Sequence, residues 1–172
     1  QQIKIGSMRV TALKHVSKGH LAYLIEGECG RILHLTDAKM NRFEHEKRPD
    51  FAWTPYQNLA PDILFIAAGS HTSRFYRDEV PLLSLEQTLT PLEAARLTSW
   101  INPKVACIFG LFNHSIWKNR FEFVMPSHVV EEQFAWALQH MNPHIRCLPV
   151  RPGFTFEVES GKKINLNLLA EL

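Results

Sequence analysis

The sequence predicts an α/β layer structure, and three observations lead there. Ile63-Leu64-Phe65-Ile66-Ala67 and Val105-Ala106-Cys107-Ile108-Phe109 are continuous apolar runs of the length expected for strands buried on both faces. A segment with its own helix start and stop signals lies between them, and a second apolar-periodic segment follows. Strand, helix, strand, helix, strand in that order is the signature of helices layered on a sheet.

Taken in order, Met8–Leu13 and His20–Glu26 read as strands, and Arg31–Leu35 as a third. Gly27-Glu28-Cys29-Gly30 reads as a four-residue hairpin connection between the last two. From Lys39 to Pro61 the composition turns polar and aromatic, with Pro49, Pro55 and Pro61, which suits a partly helical excursion over the surface. After the strand at 63–67, residues 72–88 show no period and read as a long loop, more often functional than idle in a compact domain.

Thr90-Pro91-Leu92-Glu93 is a capping box: a threonine hydroxyl for a free backbone N–H, proline at the first helical position, and a glutamate that reaches back. Ala94, Leu97 and Ile101 share one face, and Asn102-Pro103 ends the helix before the strand at Lys104–Phe109. A second helix starts near Ser127, with Val130, Phe134, Leu138 and Met141 on its apolar face, and stops at Asn142-Pro143. His144–Leu148 and Phe154–Val158 close with strand character, and the tail from Ser160 is short and amphipathic.

A chain of 172 residues, 45% hydrophobic, with four Trp and eleven Phe, supplies one core, so residues 1–172 are read as one unit. Nineteen Lys+Arg against seventeen Asp+Glu leave a charge of +2 without a basic stripe, which excludes the electrostatic footprint of a nucleic-acid binder. No apolar run approaches the roughly 20 residues that cross a bilayer, and the start lacks a signal-peptide layout. The expectation is a cytoplasmic protein with a small-molecule partner. Three cysteines without C-x-x-C spacing argue against a disulfide framework or a thiolate zinc site, and Cys107 and Cys147 read as buried small hydrophobes.

Four polar clusters fall where strands end: Lys14-His15, His34-Leu35-Thr36-Asp37, Gly69-Ser70-His71 and Asn113-His114-Ser115. In open α/β sheets sites collect at such places. Imidazole and carboxylate converging there suit Zn, Mn or Fe, which take neutral nitrogen and anionic oxygen at about 2.0–2.2 Å. His34 reads as structural, its ring hydrogen-bonded within or beside the sheet.

The segments RILHLTDAK and TPLEAARLTSWINPKVACIF resemble the stretches of metallo-β-lactamase-fold proteins that lead to the metal-bridging aspartate and to the last metal histidine. The resemblance is closest to the ascorbate-6-phosphate lactonase group, through His114-Ser115-Ile116-Trp117-Lys118-Asn119 as its H-x-I-W-x-N stretch, Gly69-Ser70, and Gly153-Phe154-Thr155-Phe156. It spans residues 8 to 158 and implies the C-terminal half of an αββα sandwich, a mixed sheet with helices on one face.

Carried across, the resemblance makes Asp37 and His114 the catalytic metal ligands, with His15 as a further ligand and His20 as its rival. It implies one or two divalent transition-metal ions (Zn, Mn or Fe) and a small anionic substrate. That substrate would be received by Ser70, His71, Arg74, Trp117 and Lys118. Several have a plainer reading: Asp37 as a helix cap, His15 and His20 as ordinary surface or core histidines, His114 as a capping residue or one that supports a ligand, Trp117 as a core residue, Arg74 and Lys118 as solvated charge.

Two departures stand beside this. The superfamily's H-x-H-x-D-H signature does not occur in these 172 residues, and strict register can put Asn113, a poor ligand, at the place of the final histidine. The leading expectation is a metal-dependent hydrolase, a lactonase or ester hydrolase, whose site is completed by an N-terminal segment or partner chain. The alternative is a non-catalytic half-domain acting as an interaction or scaffold subunit. Oxygen chemistry at a di-iron centre is a third reading that no residue favours over hydrolysis. A half-sandwich would leave one sheet face apolar and uncovered, which implies a complementary chain, a homo-oligomer, or a sequence that is a fragment of a longer one.

Overall fold

The computed structural model describes residues 1–14, 21–28, 30–36, 54–68, 89–109, 127–148, 150, 157–158 and 164–165. Their centre is a seven-stranded mixed sheet in sequence order: β1 (Gln2–Ile5), β2 (Met8–Lys14), β3 (Leu21–Gly27), β4 (Gly30–His34), β5 (Ile63–Ala67), β6 (Val105–Phe109) and β7 (Arg146–Leu148). The first four form an antiparallel meander, and β4 to β7 pair in parallel. Antiparallel neighbours need only a turn, whereas parallel ones need a crossover. Two of the crossovers carry the long helices, α2 (Pro91–Ile101) and α3 (Ser127–Met141); a one-turn helix, α1 (Thr54–Gln57), precedes β5. β8 (Glu157–Val158) and β9 (Ile164–Asn165) make a separate antiparallel pair.

The period-two alternation of the strands divides the apolar residues between two faces. Leu33, Leu35, Leu64, Ile66, Ala106 and Ile108 share one core with Leu97 and Ile101 of α2 and Val130, Phe134 and Leu138 of α3. Both long helices therefore cover the same face. The other face holds a smaller cluster of Ile63, Val105, Cys107 and Leu148, against which half-buried Ile32, Phe65 and Val150 pack. Burial of β5 and β6 on both faces is why their sequences run apolar without alternation. Toward β1 the sheet becomes open, and Ile3, Ile5 and Met8 are exposed.

The capping box forms as expected: the Glu93 N–H donates to Thr90 Oγ1 (3.3 Å), and the Thr90 N–H donates to Glu93 Oε2 (2.9 Å). Asn102 ends α2 in the left-handed region (φ 57°), and its amide oxygen accepts from the Asn142 side chain (3.0 Å), which ties the two helix ends together.

Several expectations are corrected. Gly27 pairs directly with Gly30, so the hairpin loop has two residues rather than four; the glycines close the ladder instead of opening the turn. Met141 is exposed rather than part of the apolar face, because it is the last helical residue, beyond the buried Phe134, Ala137 and Leu138. β1 and β9 were not expected as strands. Cys107 is buried as expected, whereas Cys147 is half-buried against the helical core.

Candidate functional site

β2 is antiparallel to β3, and β3 to β4, so β2 runs in the same direction as β4 to β7. The carboxyl ends of β2, β4, β5, β6 and β7 consequently lie along one edge of the sheet. Backbone bonds carry that edge beyond the strands: the Leu35 N–H donates to the Phe65 carbonyl (3.0 Å) and the Ala68 N–H to the Phe109 carbonyl (3.0 Å). The edge is braced by α1, where buried Tyr56 donates its hydroxyl to the Lys14 carbonyl (2.8 Å).

His15, Asp37, Ser70, His71, Arg74, His114, Trp117 and Lys118 lie outside the described residues, as do the rivals His20 and Asn113. The described chain ends just before several of them: Lys14 precedes His15, Thr36 precedes Asp37, Ala68 stands two residues before Ser70, and Phe109 five before His114. The structure thus brings together the strand ends that lead to the candidate residues, on one edge. Among the described residues no three or more His, Cys, Asp or Glu side chains gather as a metal set.

At that edge the described residues build a local arrangement that sequence reasoning only partly found. His34 faces away from the helices. Its ring stacks on Phe65 (centroids 5.8 Å apart) and lies tilted against Phe109 (4.8 Å). Nδ1 of His34 accepts the Thr36 N–H (3.0 Å), which requires that nitrogen to be unprotonated. Burial holds the imidazole pKa below its ordinary value, with a backbone hydrogen bond opposing, so the ring is neutral at neutral pH and carries its proton on Nε2. The structural reading of His34, a ring hydrogen-bonded at the sheet, holds.

Thr36 itself sits at φ 49°, in the left-handed region. A β-branched side chain is strained there by about 1–2 kcal/mol. Two bonds hold it: its N–H to His34 Nδ1, and its hydroxyl to the Leu21 carbonyl (2.6 Å). Leu21 is the first residue of β3, so this bond ties the start of β3 to the exit of β4. Sequence carried no sign of the left-handed turn, since threonine is not a residue that normally announces one.

The opposite edge is structural. Asp62 accepts from the Arg31 N–H (2.8 Å) and pairs with Lys104 Nζ (2.6 Å), which joins the starts of β4, β5 and β6. A groove of about 600 Å³ on that side, lined by Gln2, Lys4, Arg9, Glu26 and Glu28 among others, has its charges partly neutralised by the Arg9–Glu26 pair (2.8 Å).

Comparison with known proteins places this architecture. No protein-family model matches the sequence, and no curated protein matches it significantly. Solved structures do. The metallo-β-lactamase fold protein YhfI from Bacillus subtilis superposes with a TM-score of 0.55 at 12% identity, over 88% of this chain and 50% of that one. CmlA, a diiron β-hydroxylase from Streptomyces venezuelae, gives 0.53 at 14% identity, over 87% and 32%. A metallo hydrolase from the archaeon Ignicoccus hospitalis gives 0.51 at 11% identity, over 88% and 55%. The chain spans about half the length of YhfI and less of CmlA. No helix among the described residues is long and apolar enough to cross a membrane. The mixed sheet with both long helices on one face is thus one half of a metallo-β-lactamase fold.

Proposed function

We propose that this chain is the C-terminal half of a metal-dependent hydrolase, a lactonase or ester hydrolase acting on a small anionic substrate. The observation that carries the reading is the single edge at which β2, β4, β5 and β6 end, directly before the segments holding His15, Asp37, Ser70 and His114. The names of the structural neighbours, a metallo hydrolase and a diiron hydroxylase among them, agree with metal chemistry on this fold. The H-x-I-W-x-N stretch at His114–Asn119 points toward the ascorbate-6-phosphate lactonase type of substrate, a phosphorylated sugar-acid lactone.

In this reading Asp37, His114 and His15 hold one or two Zn, Mn or Fe ions, and an N-terminal segment or partner chain supplies the remaining ligands. An ion held by these residues would supply Lewis-acid polarisation of an ester or lactone carbonyl and would lower the pKa of a water toward neutrality. On the same reading Arg74 and Lys118 would receive the substrate's anionic group, with Ser70, His71 and Trp117 as further substrate-binding residues. Neither nucleic acid nor membrane has a part, and the setting is cytoplasmic.

The second reading, a non-catalytic scaffold half-domain, draws on the lack of H-x-H-x-D-H within these residues and on Asn113. Elemental analysis of the complete protein separates the two. The hydrolase reading expects one or two transition-metal ions per completed domain, lost in Asp37→Ala, together with lactone or ester hydrolysis that chelator abolishes and Zn²⁺ or Mn²⁺ restores. A metal-free wild-type protein, or Asp37→Ala with its metal intact, refutes it.

A further inference from the structure

We infer that His34 is the latch of a pH-sensitive joint: its Nδ1 accepts the Thr36 N–H only while unprotonated, so a proton taken up there releases the strained turn that ties the exit of β4 to the start of β3. Every group in this joint belongs to the sheet or its edge, and none of them is a proposed metal ligand or substrate contact.

Thr36 occupies the left-handed region, which a β-branched residue avoids, and such a conformation persists only where its surroundings enforce it. Two bonds do so. The Thr36 N–H donates to His34 Nδ1 (3.0 Å), and its hydroxyl donates to the carbonyl of Leu21, the first residue of β3 (2.6 Å). The imidazole that takes the amide is itself held, because it lies against Phe65 and Phe109 and cannot turn away without losing both ring contacts.

Nothing around the ring favours a charge on it. Tyr23 on β3 and Phe65 on β5 are its partners in register, and Cys107 and Phe109 on β6 share their face. Burial pushes the Cys107 thiol up to about 12, so it stays neutral. Lys14, which ends β2 on the same face, is exposed and itself cationic. No strand residue of this face from β2 to β6 is acidic. Burial accordingly lowers the imidazole pKa, with a backbone hydrogen bond opposing.

A protonated Nδ1 would meet the Thr36 N–H donor against donor. Release of the turn admits water to the ring and returns it to the ordinary histidine value of about 6.5. Because the pKa is lower with the joint closed than open, the joint is fully held above about pH 6.5 and is lost as pH falls through the lowered value. Between those two values opening becomes up to about tenfold more favourable per pH unit.

Hydrogen exchange at the Thr36 amide reads this directly. The complete protein, isotope-labelled on threonine, is followed by NMR between about pH 5 and 8, and each rate is divided by that of an unstructured chain at the same pH. Wild-type protection at Thr36 is expected to be constant above about pH 7 and to fall below about pH 6.5, while the Thr11 amide in β2 keeps its protection. Two substitutions separate the titrating acceptor from the ring. His34→Asn places an oxygen the same number of bonds from Cα as Nδ1 and should keep Thr36 protected without the pH dependence. His34→Phe keeps an aromatic ring against Phe65 and Phe109, removes the acceptor, and should leave Thr36 poorly protected at every pH. Independently of any variant, the ring nitrogens of wild-type His34 at pH 7.5 should show Nδ1 bare and the proton on Nε2. Wild-type protection that is flat with pH overturns the inference. So does the same pH dependence in His34→Asn, wild-type protection in His34→Phe, or a proton on Nδ1 at pH 7.5.

Discussion

Asp62 shows how one carboxylate organises the edge remote from the site. Burial pulls its pKa upward, but the Lys104 ammonium and the Arg31 N–H outweigh that and hold the carboxyl below its usual value. Because the folded value lies below the unfolded one, the stabilisation is present above pH about 4 and is lost as pH falls through the lowered folded value. Lys104 is largely exposed, so screening limits the pair, and Asp62→Ala is expected to cost about 1–2 kcal/mol at pH 7. Urea denaturation of both proteins should show that difference shrinking below pH 4; a constant difference would contradict it. Space is also tight here. A Cβ on Gly30, whose φ is +135°, would stand 2.5 Å from Asp62 Oδ2, so Gly30→Ala should destabilise as well. The cysteines give a second test. Burial pushes the Cys107 thiol up to about 12 and Cys147 up to about 11. The raised values make their contribution complete below the ordinary thiol pKa and lost as pH rises beyond it. Iodoacetamide at pH 8 should therefore leave both unmodified in the native protein and alkylate both in denaturant, read by mass spectrometry. Rapid native labelling would show that the sheet is open.

What sequence revealed about each element followed from how local its cause is. The start of α2 was legible to the residue, because Thr90 and Glu93 satisfy backbone groups within one turn. Thr90→Ala is accordingly expected to cost about 1 kcal/mol. β5 and β6 were legible because burial on both faces leaves a run with no polar residue. β1 was not, since all four of its residues are exposed and only pairing with β2 makes it a strand. Nor was the hairpin loop, whose length depends on Gly27 and Gly30 pairing rather than turning. At the carboxyl edge of the sheet, the left-handed Thr36 and its bond to Leu21 arise from tertiary contact and leave no trace in residue type. The joint between the helical layer and the sheet is where loss should be largest. Phe134 is fully buried between α2, α3 and the sheet, and Phe134→Ala should cost about 3–5 kcal/mol in equilibrium unfolding. Trp136, exposed on the outer side of α3, should by contrast tolerate alanine within about 0.5 kcal/mol.

Assembled, the chain is a sheet with one face sealed by helices and the other carrying a smaller apolar cluster that opens toward Ile3, Ile5 and Met8. Its chemistry, on the reading proposed, lies along the edge where five strands end in the same direction. A ligand that binds only the folded state adds stability by mass action, about 2.7 kcal/mol at a free concentration one hundred times its dissociation constant. Zn²⁺ or Mn²⁺ at that excess should raise the unfolding free energy of the chelator-treated complete protein by that amount, and should leave Asp37→Ala unaffected. The most direct test is a crystal structure of the metal-loaded complete protein. Asp37 and His114 should both reach one ion, at about 2.0–2.2 Å. Side chains turned to opposite faces of the sheet, or an ion bound without either of them, would contradict the assignment.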